Sequence, residues 1–422
     1  MTAGTPSPLR TVEEQLAMVL ATVRPVESVR IPLAEAFGRT LAEAVTARVD
    51  IPAFDNSAMD GFAVRHEDVK SAASDSPVRL KVVADIPAGS SLDPALAPGE
   101  AARIMTGSAM PSSADSIVPF EDTEGGLEGT AGEVIVVVAP AFGAYLRRRG
   151  GDTEAGDAVI APGIELGGFQ VAACAAAGVA DLVVTRAPRV AIVSTGSELV
   201  EPGSALERGQ IPDSNSLLLV ALVAEAGAEI VLRTSVADDV DALRSALAEA
   251  SARGADVLVT SGGVSAGAYE VVKDTFGRGD GSSGELEFAR VAMQPGKPQA
   301  FGRLANGMLV FGLPGNPVSV AVSFEAFVRP ALLRMQGRSE IHRAVLRLPA
   351  AEGWRTPPVR RQYLPAAIDR TDPSRWTVRP ATAGGSGSHL AGGLARAEAL
   401  AVVAADVDEV APGDIVDVML LS

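Results

Sequence analysis

RVAIVS at residues 189–194, DVLVTS at 256–261 and MLVFGL at 308–313 are the apolar runs that decide the fold. Each has the length of a buried strand, and EIVLRTSVA at 229–237 adds a fourth run of the same kind. Val, Ile, Leu and Phe dominate these runs with little polar alternation, which is typical of strands covered on both faces. The four runs therefore predict the interior strands of one sheet.

Helix-length segments separate these strands, at 215–228 and 238–252. In the second segment one buried face is predicted by the helical spacing of Leu243, Ala246, Leu247 and Ala250. A third helix is predicted after the GNP at 315–317, with one face formed by Val320, Phe324, Phe327 and Ala331. Buried strands that alternate with helices predict a parallel sheet in an α/β domain.

The sequence on either side of this domain has other patterns. Helical spacing from about 11 to 48 is followed by short apolar strands up to 140, and a strand-and-turn pattern returns after 338. A small-residue helix at 169–178 is expected to pack back against the N-terminal helices. We therefore expect an α/β multidomain protein with four domains: a helical N-terminal domain at 8–54 plus 148–187, a β-rich inserted domain at 55–147, the α/β domain at 188–338 and a C-terminal β-domain at 339–422.

Composition excludes several classes of function. A formal net charge of −16 over 422 residues argues against binding to nucleic acid, whose phosphates require a surplus of Lys and Arg. The single cysteine, Cys174, permits no internal disulfide, and His66, His342 and His389 are not at metal-ligand spacing. No apolar run approaches the ~20 residues of a membrane span, and no secretory signal opens the chain. We expect a cytoplasmic protein without a membrane partner.

The loops that follow the four strands carry unusual residues. They are STGSE at 194–198, ADD at 237–239, SGGVS at 261–265 and GLPGNP at 312–317. Ligands of open α/β sheets bind beyond the carboxyl ends of the strands, and glycine lets backbone N–H groups approach an anion closely. The loops together indicate a phosphate-bearing ligand and a cation. The alternatives are local: Asp239 is placed to cap the next helix, Glu198 could be solvated, and SGG could be a tight turn.

Three further motifs lie in the β-rich half of the chain. DNSAMDG places Asp60 before a glycine, IMTG places Thr106 at a strand end, and RRRGGD joins Arg147 and two further arginines to Asp152. Guanidinium groups match oxyanions, so the arginines could bind an anion. Turn chemistry explains each aspartate locally, and adjacent arginines are more often a solvated patch. These motifs alone do not decide between the two interpretations.

Longer motifs carry a family resemblance. In order along the chain they are DNSAMDGFAVR, RIMTGSAMP, LRRRGGDTEAGD, VAIVSTGSELVEPG, GQIPDSNS, TSGGVSAG, QPGKPQAFG and FGLPGNPVSV. This series resembles the MoeA family and the E domain of gephyrin over nearly the whole chain. The resemblance implies a homodimer of four-domain subunits, with a MogA-like third domain, a β-barrel-like C-terminal domain and an N-terminal linker and dimerisation domain. It also implies insertion of molybdate, as co-substrate, into adenylated molybdopterin with Mg²⁺ and release of AMP.

Site residues follow from the resemblance position by position. It assigns catalytic roles to Asp60, Thr106, Asp152, Glu198 and Asp238. It assigns the divalent cation to Glu198, Asp238, Asp239 and Glu270. It assigns substrate binding to Ser265, Gly262, Gly263, Lys297, Pro314, Pro317, Ser388 and Arg147. The cation and Lys297 would offset the negative charge of the chain at an anionic substrate.

The sequence departs from the family pattern at three positions. Glu270 stands where the family often has Asp, Gln294 where it often has Lys, and Pro365 where it has an arginine, although Arg360 and Arg361 lie just upstream. Two other functions stay open: a MogA- or MoaB-type adenylyltransferase, and a non-catalytic scaffold like gephyrin. The sequence does not distinguish molybdate from tungstate, and a transient contact with a MogA-type adenylyltransferase is a further expectation.

Overall fold

The computed structural model describes residues 9–126, 132–262, 275, 285–382 and 391–421. Its helices are α1 Val12–Thr22, α2 His66–Val69, α3 Gly168–Ala176, α4 Ser214–Glu225, α5 Val240–Ala252, α6 Pro317–Ser323, α7 Arg329–Met335 and α8 Ala391–Leu394. Short 3-10 helices cover Leu33–Glu35 and Phe120–Asp122, and a π-helical turn at Phe324–Val328 joins α6 to α7.

The strands of the described residues contribute to separate sheets. In chain order they are β1 Ser28–Pro32, β2 Thr40–Leu41, β3 Val45–Thr46, β4 Asn56–Ser57, β5 Gly61–Val64, β6 Val78–Ile86, β7 Glu100–Ile104, β8 Ser116–Pro119, β9 Glu133–Val136, β10 Leu146–Arg147, β11 Ala158–Ile160, β12 Asp181–Thr185, β13 Arg189–Thr195, β14 Leu199–Val200, β15 Ile211–Pro212, β16 Glu229–Val236, β17 Val257–Ser261, β18 Glu285–Arg290, β19 Met293–Gln294, β20 Pro298–Arg303, β21 Leu309–Leu313, β22 Val345–Pro349, β23 Trp354–Arg355, β24 Arg361–Asp369, β25 Thr377–Pro380, β26 Ala399–Val403, β27 Glu409–Val410 and β28 Ile415–Leu420.

The central sheet has the strand order β16-β13-β17-β21-β20-β18. The first four strands are parallel, as the sequence predicts, and they are the four apolar runs. Side chains alternate between its two faces: Val190 and Ile192 of β13 pack towards α4, whereas Ala191 and Val193 pack towards α5. The antiparallel strands β20 and β18 extend the sheet and were not predicted. The expected α/β fold class is confirmed.

The helices cover this sheet on both faces. In α5 the predicted stripe is buried at Leu243, Ala246 and Ala250. The segment from α6 through the π-helical turn to α7 is apolar on nearly all sides, and the four residues predicted for its buried face are among those enclosed. Such a helix is surrounded by protein rather than lying at the surface.

The N-terminal segment differs from the predicted long helical stretch. Helix α1 ends at Thr22, and Pro25 and Pro32 exclude a continuation because proline lacks a backbone N–H. The following residues form β1, which pairs with β12, instead of more helix. Helix α1 packs on α7 and the π-helical turn, in the core of the central sheet. Helix α3 therefore packs on the 3-10 helix at Leu33–Glu35 and on β11, not on α1.

The flanking β-sheets have their own cores. The inserted region forms a five-stranded sheet of order β8-β5-β7-β6-β9. The C-terminal region forms a sheet of order β19-β24-β26-β28-β22, with β25 paired to β24. The largest apolar cluster joins α1 to the central sheet and also includes Tyr363 and Leu400 of the C-terminal region, and the division into four domains stays a prediction. Within the described residues, no helix is long and apolar enough to cross a membrane.

One strand of the C-terminal sheet is contributed by the central region. Strand β19 lies between β18 and β20 in the chain, yet it pairs in parallel with the start of β24. The backbone N–H of Arg361 also donates to the carbonyl oxygen of Ala292 at 2.9 Å. The C-terminal sheet is therefore hydrogen-bonded to the segment that immediately precedes the PGKP loop at 295–298.

Candidate functional site

A cavity of about 480 Å³ lies at the carboxyl ends of β13, β17 and β21. This is the edge at which an open α/β sheet binds its ligands. The lining residues come from the strand-end loops, from β15 and the start of α4, and from the PGKP loop: Thr195, Gly196, Glu198, Leu199, Ile211, Pro212, Asp213, Ser214, Asn215, Asp238, Ser261, Gly262, Gln294, Pro295, Gly296, Lys297, Pro298, Pro314, Gly315, Asn316, Pro317 and Ser319.

Three glycines of the strand-end loops lie close to neighbouring atoms of the cavity wall. Gly262 has φ +93°, and a Cβ built on it would lie 2.4 Å from the Thr195 carbonyl oxygen. A Cβ on Gly196 would lie 2.7 Å from Glu198 Oε2, and one on Gly315 would lie 3.4 Å from the Cα of Gly262. Of the three, only Gly262 meets a backbone atom below 3.0 Å, so the cavity wall depends on that residue lacking a side chain. The Gly196 contact is with the movable end of the Glu198 side chain, and the Gly315 distance is an ordinary contact.

A buried carboxylate anchors the floor of the cavity. Asp213 is 3% exposed and caps α4, where the backbone N–H of Ser216 donates to its Oδ1 at 3.0 Å. The hydroxyl of Ser194 donates to the same oxygen at 3.2 Å, and the hydroxyls of Ser194 and Ser261 are 3.1 Å apart. The ends of β13 and β17 and the start of α4 are thus joined by one hydrogen-bond network.

Two buried oxygens in the cavity wall have no hydrogen-bond partner among the described residues. They are Thr195 Oγ1 and Asn215 Oδ1, in side chains that are 5% and 8% exposed. The Asn215 amide nitrogen is already used, because it donates to the Gly315 carbonyl oxygen at 2.6 Å. Buried polar atoms are normally satisfied, so two unpaired oxygens in residues that line one cavity mark its wall as polar, although protein atoms enclose both oxygens.

Cationic groups lie at the PGKP end of the cavity. Lys297 lines the cavity, and in the described part of the chain no hydrogen bond or ion pair holds its amine. Gln294 also lines it and accepts a hydrogen bond of 2.6 Å from Arg360 Nη1. Arg360 follows Val359, a β-branched residue at φ +50° that is 71% exposed, which is a strained conformation of the kind found at functional sites. A guanidinium of the C-terminal region therefore stands beside the position where the family often has lysine.

Acidic groups enter the cavity from the ends of β13 and β16. Glu198 and Asp238 both line it, and both are exposed to solvent. Asp239 does not line it. Its carboxylate accepts a 2.8 Å hydrogen bond from the backbone N–H of Ala242, which is the helix-cap alternative considered for this residue. Among the described residues no group of three or more His, Cys, Asp or Glu could hold a metal ion.

The predicted residues of the β-rich half lie outside this cavity, and two of them, Asp60 and Thr106, form a second cluster. Asp60 Oδ1 accepts hydrogen bonds from the Thr106 backbone N–H at 2.6 Å and from its hydroxyl at 2.7 Å. These hydrogen bonds lower the pKa of the Asp60 carboxyl below its ordinary value. Arg147 on β10 and Asp152 are exposed nearby in the chain, and none of these four residues lines the cavity of its own chain.

The other two arginines of the RRRGGD motif have structural partners. Arg148 Nη1 lies 2.7 Å from Asp55 Oδ2, and Arg149 pairs with Asp50. The pKa of both aspartates lies below its ordinary value. The chief cause is a backbone N–H group that donates to each carboxylate, from Arg149 to Asp55 and from Ala155 to Asp50, and the paired guanidinium groups lower the pKa further. Among the described residues Arg147 has no such acidic partner. The motif therefore has one arginine available to a ligand and two that fix the loop.

Several predicted positions need separate mention. Gly263, Ser265, Glu270 and Ser388 lie outside the described residues. Pro365 is buried in β24 and lines a different, apolar cavity between the central and C-terminal regions. The cavity residues that the sequence did not single out include Thr195, Asp213 and Asn215. The pattern PDSN at 212–215 did carry a signal for a helix cap, but nothing local indicated that the cap faces a ligand cavity.

The fold and cavity define an α/β protein that binds a small ligand at the carboxyl ends of its parallel strands. Residues 191–334 match a family model described as a probable molybdopterin binding domain. Residues 10–178 match the MoeA N-terminal region, domains I and II, and residues 347–421 match the MoeA C-terminal region, domain IV. The chain belongs to the MoeA family, which confirms the resemblance found in its motifs.

Individual relatives support this assignment along the whole chain. Molybdopterin molybdenumtransferase 2 of Mycobacterium tuberculosis is 42% identical over 407 residues, covering 96% of this chain and 98% of the relative. Molybdopterin molybdenumtransferase 1 of the same organism is 34% identical over 432 residues, covering 98% and 99%. The crystal structure of the molybdopterin biosynthesis MoeA protein of Pyrococcus horikoshii OT3 matches with a TM-score of 0.81 at 27% identity, covering 98% of this chain and 100% of that one.

Proposed function

We propose that this protein is a molybdopterin molybdenumtransferase that inserts molybdate into adenylated molybdopterin, with release of AMP, in the cytoplasm. The observation that carries the proposal is the cavity at the strand ends of a MoeA-family chain, with glycine loops, unpaired oxygens, carboxylates and cations around one space. Its volume of about 480 Å³ suits a small molecule with phosphate groups rather than a macromolecule.

The cationic end of the cavity is the proposed molybdate subsite. Molybdate is a tetrahedral dianion, and an ammonium with a guanidinium beside it provides charge-assisted hydrogen bonds to such an ion. Lys297 provides the ammonium, and Arg360 is held by Gln294 at the same end. We infer that Arg360 replaces the charge that Gln294 does not carry. These two groups would bind molybdate and orient one oxygen towards the dithiolene.

The acidic end of the cavity fits a Mg²⁺ ion. Mg²⁺ is commonly held by one or two carboxylates together with substrate phosphates and water, so it does not require a larger cluster of protein ligands. Glu198 and Asp238 would hold it, and the oxygens of Thr195 and Asn215 are unpaired in the same wall. When bound, the ion supplies positive charge to the phosphates of the adenylate. Asp213 holds the floor of the cavity in place through the hydrogen bonds that it accepts from Ser194 and Ser216.

The second cluster suggests a homodimer. Asp60, Thr106, Asp152 and Arg147 do not line the cavity of their own chain. The chain also exposes large apolar side chains in the N-terminal half, with Phe37 74%, Phe142 69% and Phe169 91% exposed. We propose that these side chains contribute to the contact between subunits. We propose that Asp60 and Thr106 of the partner subunit complete each cavity.

The deciding experiment is insertion by the purified protein. Adenylated molybdopterin, Mg²⁺ and molybdate are supplied, and AMP release and activation of an apo-molybdoenzyme are followed. We expect both, and we expect Glu198→Gln to reduce them by roughly 100-fold, as for loss of one electrostatic contact in a catalytic site. AMP release without activation of the apo-enzyme would argue against the proposal.

The two alternatives give different results in the same system. An adenylyltransferase would form the adenylate from molybdopterin and ATP without molybdate. A scaffold would retain its behaviour after Glu198→Gln, because that residue would have no chemical role. A transient contact with a MogA-type adenylyltransferase, which would deliver the adenylate directly, is a separate expectation that co-sedimentation of the two proteins would test.

A further inference from the structure

Gln299 is a buried polar residue behind the cationic end of the cavity. It lies on β20, two residues after Lys297, and is 3% exposed. Its side-chain nitrogen donates to the Gly296 carbonyl oxygen at 2.7 Å and to the Ser323 hydroxyl at 2.7 Å. Both N–H groups of the amide are therefore committed, one to the PGKP loop and one to the end of α6.

The hydrogen bond from Gln299 to Gly296 fixes the PGKP loop, which has little room to move. Gly296 lines the cavity at φ +102°, and a Cβ on it would lie 3.0 Å from both Met293 Cε and Ser323 Oγ. On the far side of the loop, the Lys297 carbonyl oxygen accepts the Val291 N–H at 2.7 Å. The loop is thus held by its neighbouring backbone and, at its centre, by the amide of Gln299.

Lys297 depends on this support because its own amine is not held. In the part of the chain that the structure describes, the amine has no salt bridge or hydrogen bond, so its position follows from the backbone on either side. A buried amide is costly to desolvate unless it is fully bonded, and an apolar residue would fill the same space without that cost. The amide at 299 is therefore better explained by the loop it holds than by packing.

We propose that Gln299 is a positioning residue for the oxyanion subsite: it fixes the Gly296 carbonyl and thereby holds Lys297 where molybdate binds. The inference rests on the proposed function for the identity of the anion. Gln299 does not touch the substrate. Its contribution is to affinity for the anion, because it sets the distance between a charge and its ligand before binding occurs.

The test separates positioning from stability with two glutamines. Gln299→Leu removes both hydrogen bonds at similar volume. The matched control is Gln336→Leu: Gln336 is also 3% exposed, and its amide donates to the Ala226 and Leu332 carbonyl oxygens at 2.7 and 3.2 Å, away from the cavity. Both variants lose a buried, doubly donating amide, so both are expected to melt at a lower temperature.

Only one of the two variants should change the kinetics. For Gln299→Leu we expect KM for molybdate to rise about 10-fold with kcat within about twofold, as expected when a tether of one hydrogen bond is lost. The Kd of molybdate alone, measured by calorimetry, should rise by a similar factor. For Gln336→Leu both constants should equal those of the wild type. Ser323→Ala, which leaves the bond to Gly296, should give a smaller rise and provides a second variant if Gln299→Leu does not fold.

The outcomes are distinct. Unchanged KM and Kd in folded Gln299→Leu, or an equal rise in Gln336→Leu, would overturn the positioning role. A wild-type protein that binds molybdate but inserts none would instead count against the proposed function, and the calorimetric comparison of the two variants would still decide the role of Gln299.

Discussion

The cavity of the central domain and the Asp60–Thr106 cluster differ in how their polar groups are arranged. The cavity is lined partly by buried residues, among them Thr195 and Asn215, whose side-chain oxygens are unpaired, and partly by the exposed Glu198 and Asp238. The Asp60–Thr106 cluster is exposed, and its carboxylate is already hydrogen-bonded to its neighbour. The central domain therefore already encloses a space for a small ligand, whereas Asp60 and Thr106 lie on an open surface.

The largest effect should come from closing the cavity. Gly262→Ala would place a Cβ 2.4 Å from a backbone oxygen at φ +93°, so the loop must move. We expect insertion to fall by at least about 100-fold and stability to fall by about 1–3 kcal/mol, the usual cost of a strained backbone. Gly307→Ala is the control, because Gly307 has φ +90° but only the end of the Arg303 side chain nearby. Its cost in stability should be about 1 kcal/mol, without loss of activity. Equal activity losses in the two variants would contradict the importance of the cavity.

The next prediction tests whether the second cluster acts across subunits. Asp60→Asn and Glu198→Gln should each be nearly inactive. If each site joins one region from each subunit, co-refolded mixtures should recover about a quarter of wild-type activity, because half of the dimers are mixed and each mixed dimer has one intact site. Activity is measured by AMP release, with mixtures of each variant and wild type as controls. No recovery in a confirmed mixed dimer would place both residues in one site of the same chain.

A smaller effect concerns pH. Thr106 hydrogen bonds lower the pKa of Asp60, so the stability they contribute is present above the ordinary aspartate pKa of about 3.9 and is lost as the pH falls through the lowered value. Thr106→Val removes the hydroxyl bond, so the pKa should rise and the acid limb of the activity profile should move to higher pH. The matched control is Thr371→Val, because Thr371 makes the same pair of bonds to Asp369, at 2.9 and 2.7 Å, in the C-terminal region. The Thr371→Val variant should leave the activity profile unchanged. An equal shift of the acid limb in both variants would contradict its assignment to Asp60.

The smallest effect on activity is expected at Asp239. As a helix cap it should contribute about 1 kcal/mol to stability, so Asp239→Ala should lower the free energy of unfolding by that amount. Asp239→Asn retains the capping oxygen and should lower it much less. Insertion and its dependence on Mg²⁺ concentration should be unchanged in both. A raised requirement for Mg²⁺ in Asp239→Asn would restore this residue to the cation site.

The sequence predicts the interior of the fold well, and the reasons are local. The strands of the central sheet are unbroken apolar runs, and their loops can be placed because parallel strands end at one edge. The predicted N-terminal helical stretch was too long. The helix ends at Thr22, before Pro25, and Ser28–Pro32 instead form β1, which pairs with β12. Strand β20 was not predicted because its sequence, PQAFGR, has no distinctive strand pattern. Its extended conformation depends on antiparallel pairing with β21 and β18.

Parts of the site depend on contacts that are remote in sequence. Arg360 meets Gln294 across 66 residues, and only the pairing of β19 with β24 brings them together. Asp213 has a sequence signal as a helix cap, but its burial beneath the cavity follows from Ser194 and Ser261 on two other strands. The motif resemblance named six residues that line the cavity, because a family pattern carries information about remote contacts that one sequence read locally does not: Glu198, Asp238, Gly262, Lys297, Pro314 and Pro317.

The shared strand β19 couples two parts of the molecule that have different cores. Met293 and Gln294 precede the PGKP loop in the chain, yet their ladder partners, Arg361 and Gln362, begin the longest strand of the C-terminal sheet. A tilt of that sheet would move Gln294 and Arg360 together. It would therefore widen or narrow the cationic end of the cavity without moving the glycine loops in its wall. Entry of the anion and release of the finished cofactor would then depend on the orientation of the C-terminal sheet. The part of the cavity proposed for the adenylate would keep its shape.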